Sequence, residues 1–350
     1  MTALCASDVE GLYEKLRAES THYTELYNPN DFDNFEFDQK RAQTTAGLWH
    51  SPRHIARQFS AQGVTMASQT GSLEQHHKKV RRHFTEQRRF WRDIYYQGDV
   101  YAAIHQLRMK LVLSWIDDLR LPAGTQVLEV GCGAGLLTLA LAERGFAVTA
   151  MDAVQDMVDE TREAVSRLGF EDRVRVVPGN ALDLPLRDAT YPLVVALGVI
   201  PWLQSPEKAL REMARVMAPG GRLIVTADNR WRLNHMLDPW RFPLLSPVRR
   251  RVRRAFEEWG LLKSLKDRGL STPHSLHKFD HMLHQAKLCK ERQMTLGFGP
   301  FTFFNIPLLR GADGLSIHER LQGLADRNFP LIRSTGCQNL TLARNGPSPP

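Results

Sequence analysis

From Thr125 onward the chain alternates short, β-branched apolar runs with helices of about ten residues, and this alternation is its strongest constraint on fold. TQVLEVG reads as a strand, and Leu136 to Arg144 as a helix ended by Gly145. FAVTAMD is the next strand, and Gln155 to Leu168 the next helix, ended by Gly169. RVRVVPG and YPLVVALGV follow as strands, then a helix from Pro206 to Met217, then GGRLIVTAD behind a Pro219-Gly220-Gly221 turn. Strands of this kind are buried on both faces, so the pattern predicts a parallel, doubly wound α/β sheet. Lys290 to Leu296 and Asn339 to Arg344 are two later candidate strands, separated by a Gly/Phe-rich loop, GFGPFTFF.

The flanks read differently. Ser7 to Ser20 has a capping-box pair, Ser7 and Glu10, ahead of an apolar face of Val9, Leu12, Tyr13 and Leu16. Residues 28–71 are irregular. Two helices are expected after them, from Leu73 to about Tyr96 and from Val100 to Leu119, each with an apolar stripe. Residues from about Asn229 to His284 interrupt the alternation as an insertion. The expected organisation is an extension over 1–75, a helical cap over 76–124 and an α/β domain over 125–345, with 229–284 inserted.

Between the first strand and its helix stands Val127-Leu-Glu-Val-Gly131-Cys-Gly133-Ala-Gly135. Glycines at such a turn let a ligand approach the backbone closely, beside the free N–H groups of a helix start. The spacing is neither the GxGxxG/A of a dinucleotide site nor the GxxxxGK[ST] of a P-loop. LEVGCGAG, the MD ending the second strand, GNALDLP after the third and RVMAPGGRLIV occur in order over Thr125 to Asp228. Together they resemble the class I S-adenosylmethionine (SAM)-dependent methyltransferases. The resemblance implies a seven-stranded, mostly parallel, Rossmann-like sheet, an N-terminal helical cap, a helical insertion and SAM as cofactor.

It also implies roles. Gly131, Cys132, Gly133 and Gly135 would border the methionine moiety, with Glu129 near its amino group. Asp152 would accept hydrogen bonds from the ribose hydroxyls; its other reading is a cap on the following helix. Ala153 and Met157 would pack on the adenine. Asn180, Ala181 and Leu182, or Asp183 in their place, would read its edge, and Leu197 would complete the pocket. Tyr95, Tyr101 and Arg108 are the cap residues expected over the methionine end, with Arg108 facing the carboxylate.

The acceptor side is less defined. The [DN]PP[YFW] motif of enzymes that methylate DNA-base amines is absent, and LGVIPWL stands in its place, so Trp202 is expected against a small or partly apolar acceptor. Oxygen is the expected acceptor atom, with carbon or nitrogen as alternatives. His235, His274 and Asp228 are the candidate bases. His274, His277, His281 and His284 recur at helical spacing, but Leu276, Phe279, Leu283 and Ala286 form the apolar stripe. The histidines are therefore expected to face outward, with no metal site.

The net charge is +8, and much of the excess lies in Lys78 to Arg92 and Arg249 to Arg254. Both stretches read as amphipathic helices. The second, within 245–259, suits either a lid or contact with an anionic membrane or lipid-linked acceptor. A nucleic-acid partner is not expected, although RNA or protein methylation and a non-catalytic SAM-binding module stand as alternatives. Four scattered cysteines without a CxxC pair, no apolar run of spanning length and no leader-like start predict a cytoplasmic protein active in small-molecule biosynthesis.

Overall fold

The computed structural model describes residues 61–245, 270–309 and 311–346, together with Pro247, Arg249 and Arg251; for 61–73 only the backbone is described. The expected helix over Ser7 to Ser20 and most of the 245–259 segment lie outside these residues. The chain divides into two units, 1–73 and 74–350. The second holds the sheet.

The helices are α1 (Ala61–Glu86), α2 (Arg88–Asp93), α3 (Val100–Asp118), α4 (Leu136–Glu143), α5 (Gln155–Arg167), α6 (Pro206–Val216), α7 (Leu233–Met236), α8 (Leu276–Gln285) and α9 (Gly311–Asp326). The strands are β1 (Gln126–Val130), β2 (Ala147–Asp152), β3 (Val174–Pro178), β4 (Tyr191–Ala196), β5 (Met217–Asp228), β6 (Leu288–Leu296), β7 (Thr302–Phe303), β8 (Ile306–Pro307) and β9 (Gln338–Asn345). Seven of them form one sheet in the order β3-β2-β1-β4-β5-β9-β6, and β7 pairs with β8 in a small hairpin.

Strands β1 to β5 run parallel, and β9 is antiparallel to both β5 and β6. The expected mostly parallel, doubly wound sheet is therefore present. Val127 and Leu128 on β1 and Leu193, Val194 and Val195 on β4 are completely buried, as two-sided coverage requires. Strand order reverses between β1 and β4. Ligands of open α/β sheets bind at such a switch point, beyond the carboxyl ends of the strands.

Three elements depart from expectation. The helix expected over 73–96 breaks at Gln87 into α1, α2 and a 3₁₀ turn, Ile94–Tyr96. Either side of the break Phe84 and Trp91 meet, with ring centroids 5.5 Å apart, and Phe84 also reaches Trp202. Strand β5 starts earlier than GGRLIVTAD: Met217 already pairs with Tyr191, and the Pro-Gly-Gly segment is absorbed as an irregularity before Arg222 pairs with Leu193. Gly221 permits this, because a Cβ there would lie 2.9 Å from the Ala218 carbonyl oxygen. Between β6 and β9 the Gly/Phe loop is followed by a sixteen-residue helix, α9, which was not expected there.

Candidate functional site

The carboxyl ends of β1 to β5 open into a cavity of about 720 Å³, lined also by α1, α2, α3 and α7. That is toward the upper end of the roughly 300–1,000 Å³ range of small-molecule sites.

The glycine turn forms its floor. Gly131, Gly133 and Gly135 all have positive φ, at 78°, 54° and 84°. Gly135 caps α4 but does not line the cavity; a Cβ on it would meet Thr161 Cγ2 at 2.9 Å. At Gly131 a Cβ would strike Val199 Cγ2 at 2.4 Å, whereas at Gly133 it would meet nothing within 4 Å. The turn thus needs glycine at 131 and 135 for packing, and leaves open space above 133.

Two carboxylates flank it. Glu129, at the end of β1, is buried and accepts a hydrogen bond from the Thr138 hydroxyl at 2.5 Å. Burial pushes its carboxyl up to about 8, opposed by the Thr138 bond. Among the described residues no cation forms an ion pair with it. Asp152, at the end of β2, accepts the backbone N–H groups of Gly133 (3.0 Å) and Val154 (2.9 Å). Burial raises its carboxyl as well, and those N–H groups oppose the shift. Asp152 therefore ties the glycine turn to the start of α5 while its carboxylate also borders the cavity.

Cys132, Ala153, Met157, Asn180, Ala181 and Leu197 line the same cavity. Leu182 does not, being packed in the core beneath, and its N–H donates to the Asn180 side chain at 3.0 Å. From the cap side come Tyr95, Tyr101 and Arg108. Arg108 is buried; its Nη2 donates to the Tyr95 hydroxyl at 3.0 Å and its Nη1 to Gln338 Oε1 at 3.4 Å.

Of the candidate bases, Asp228 and His235 reach the cavity and His274 does not. Asp228 sits at the end of β5 between Arg232 (3.4 Å) and the Gln338 side-chain amide (3.3 Å). Burial, with Arg232 and Arg241 nearby, depresses His235 to about 3, so its ring is neutral and a weak base. His274 precedes α8, and its backbone N–H donates to the Asp228 carbonyl oxygen at 2.9 Å. It is buried, unlike His277, His281 and His284, which face outward as their spacing predicts.

Trp202 lines the cavity with Phe84, Trp91, Val199 and Leu203, and the Phe84 ring meets both Trp91 and Trp202. Sequence reasoning passed over His105, Arg232, Arg241 and Gln338, all of which line the cavity. For His105 a signal existed: with Tyr101 and Arg108 it falls at i, i+4 and i+7 on one face of α3. Its ring nitrogen Nδ1 pairs with the Tyr101 carbonyl oxygen at 2.8 Å, and burial, reinforced by Arg108, lowers it to about 3.

These positions can be set beside known proteins. Residues 128–225 match the family profile described as a methyltransferase domain. The chain carries a class I methyltransferase domain. The family uses SAM as its methyl donor. A sterol 4-C-methyltransferase of Caenorhabditis elegans is 24% identical over 189 residues, covering 51% of this chain and 55% of that protein. A phosphatidylethanolamine N-methyltransferase of Cereibacter sphaeroides is 36% identical over 102 residues, 29% of this chain and 50% of that protein. The chain thus spans about half the length of these curated relatives. Among solved structures, magnesium protoporphyrin IX methyltransferase from Synechocystis PCC 6803 with bound S-adenosylhomocysteine superposes with a TM-score of 0.48 at 17% identity, covering 76% of this chain and 98% of that one.

The residues of the class I domain fit that cofactor. A buried carboxylate without a cation suits an ammonium group, and the open space above Gly133 suits a ligand lying against the backbone.

Proposed function

We propose that the chain transfers the methyl group of SAM to a small, largely apolar or lipid-type acceptor. The observation that carries this reading is one cavity lined both by Glu129, Gly133 and Asp152 and by the ring cluster of Phe84, Trp91 and Trp202. On this reading Glu129 holds the cofactor's ammonium and Asp152 its ribose hydroxyls. Met157, Ala153, Asn180 and Ala181 enclose its adenine, and Leu197, Tyr95 and Tyr101 close over the methionine end. SAM supplies an activated methyl group; the chain's part is to align the acceptor with it and to exclude water. Oxygen is the acceptor atom we assign. Asp228, held by Arg232 and Gln338, takes the proton of a hydroxyl acceptor, while the neutral ring of His235 orients it. An acceptor of this kind resides in or on a membrane, and the arginine-rich 245–259 segment is suited to meet an anionic one. No feature of the cavity calls for nucleic acid.

Titration calorimetry with S-adenosylhomocysteine, and label transfer from methyl-labelled SAM to a lipid extract, test the reading. The wild-type chain should bind in the micromolar range and label a lipid-extractable product. Asp152→Ala removes two charge-assisted hydrogen bonds to the ribose, so binding should weaken by about 100-fold. Glu319→Ala, an exposed position on α9, should bind like wild type. No binding by the wild-type chain, or equal loss in both variants, refutes the assignment.

A further inference from the structure

Beside the cavity mouth two segments distant in sequence are held together by one buried carboxylate. Asp238, fully buried after α7, accepts the Thr302 hydroxyl, the Asn305 N–H (3.0 Å) and the Trp240 N–H (2.8 Å). Arg241, a cavity-lining residue, also donates its Nε to Asn305 Oδ1 at 2.9 Å. The 237–245 segment and the β7–β8 hairpin are thereby fixed to each other at the edge of the site.

What they expose is unusual for a surface. Of the eleven exposed large apolar residues among the described residues, seven lie in these two segments and an eighth, Leu308, directly follows the hairpin. Leu237, Trp240 and Leu244 stand on the first; Phe303, Phe304 and Ile306 stand on and around the hairpin turn. A concentration of this kind marks an interaction surface, because scattered exposed apolar residues are normal and clustered ones are not. The charge that follows it narrows the partner. Five arginines, Arg249, Arg250, Arg251, Arg253 and Arg254, occupy six positions just after Leu245. Aromatic and aliphatic side chains beside an arginine cluster match the acyl boundary and headgroups of an anionic bilayer. No described helix is long and apolar enough to cross a membrane, so the match is to an interface, not a span.

We infer that the 237–245 segment and the β7–β8 hairpin form an apolar lip that seats the cavity mouth on an anionic lipid surface, so that the acceptor enters from the membrane. This inference rests on the lipid-type acceptor proposed above and gives that acceptor its route. Trp240 and Phe304 are the side chains that insert, and Arg251, exposed just beyond the lip, is suited to the headgroups. Arg241, joining the lip to the cavity lining, keeps the inserted edge in register with the mouth.

Vesicle co-sedimentation of the full chain tests it, using phosphatidylcholine alone and phosphatidylcholine containing about one third phosphatidylglycerol. Wild type should partition at least roughly 10-fold more strongly onto the anionic vesicles, with the bound fraction falling as salt is raised. Phe304→Glu combined with Ile306→Glu should lower that partitioning by about 10-fold or more. Leu244→Glu, on the other segment, should lower it in the same direction. All variants should bind S-adenosylhomocysteine with wild-type affinity, which establishes that they are folded. Absence of vesicle binding, or binding unchanged by these substitutions, overturns the inference. So does a concentration-dependent dimer that the same substitutions dissolve, because the lip would then face a second copy. Wild-type vesicle binding without any S-adenosylhomocysteine binding would refute the methyltransferase reading and leave the docking surface standing.

Discussion

Glu129→Gln should stabilise the ligand-free protein at pH 8.5 and at the same time weaken cofactor binding by about two orders of magnitude. Both effects have one cause. The Glu129 carboxyl is buried against Thr138 and raised to about 8, because ionising it there leaves a charge without a cation. Between its unfolded value near 4.5 and about 8, the folded state holds a proton that the unfolded state has released. Stability contributed by this group is therefore complete below about pH 4.5, falls as pH rises, and is lost above about pH 8. A shift of that size corresponds to an upper limit of roughly 5 kcal/mol at 1.36 kcal/mol per unit. Glutamine stays neutral and keeps an acceptor for Thr138, so it recovers part of that loss at high pH and little at low pH. Each kcal/mol recovered should raise the melting temperature by about 2–4 °C.

Binding responds in the opposite sense. An ammonium placed beside glutamine loses its counter-charge in a buried site, which costs about 3–5 kcal/mol. In wild type the carboxyl must ionise before it can pair with the ammonium. S-adenosylhomocysteine affinity should therefore rise roughly tenfold or more from pH 6 to pH 8 and flatten above, with one proton released on binding. Calorimetry in buffers of different ionisation enthalpy counts that proton. Glu129→Gln should abolish both the pH dependence and the proton release. A variant that loses affinity but keeps the pH profile would assign the titration to another group.

The sheet was legible because it is built from one kind of signal. The central strands β1 and β4, buried on both faces, read as nearly continuous apolar runs, and each connecting helix ends in a glycine or begins at a proline. The glycine turn and the acidic strand ends were legible for a related reason, since they lie at fixed offsets from those runs. What the pattern could not show is where polar side chains serve as core. Helix α9 buries Gly314, His318, Gln322 and Ala325, while Leu315, Ile317 and Leu321 pack only partly buried beside them, so polar side chains share its inward face. Hydrogen bonds hold it beside that apolar packing. His318 Nδ1 accepts the Phe298 N–H at 3.1 Å, Gln322 Oε1 accepts the Gly297 N–H at 3.0 Å, and Gln322 Nε2 donates to the Thr295 carbonyl oxygen at 3.1 Å. Those bonds satisfy the backbone of the GFG turn, which in turn places Gly299 and Pro300 on the cavity wall. Gln338 and Asn234 escape notice similarly. Gln338 bonds both Arg108 and Asp228, and Asn234 bonds the Gly299 and Pro300 carbonyl oxygens; long-range pairings of single polar residues leave no periodic trace.

Gly133→Ala should leave the protein folded and reduce S-adenosylhomocysteine affinity by about 100-fold, whereas Gly131→Ala should impair folding first. The two glycines are two residues apart, share positive φ and belong to the same motif, so sequence alone treats them alike. Their surroundings do not. An added Cβ at 131 would lie 2.4 Å from Val199 Cγ2, and β-branched Val199 has little freedom to move away. Overpacking of that kind costs about 1–3 kcal/mol beyond the strain of a left-handed backbone. At 133 the methyl meets nothing within 4 Å, so the protein bears only the conformational cost, about 1–2 kcal/mol at φ 54°. The space the methyl would occupy is the cavity itself, above a backbone whose N–H is already held by Asp152. A ligand that lies against this backbone is pushed off by a single carbon, and Gly133→Val, with a branched side chain, should remove measurable binding. Melting curves beside calorimetry separate the cases: Gly131→Ala lowers the transition by more than Gly133→Ala, and Gly133→Ala loses binding out of proportion to its stability. If Gly133→Ala bound S-adenosylhomocysteine as wild type does, the space above that glycine would not be where the cofactor lies.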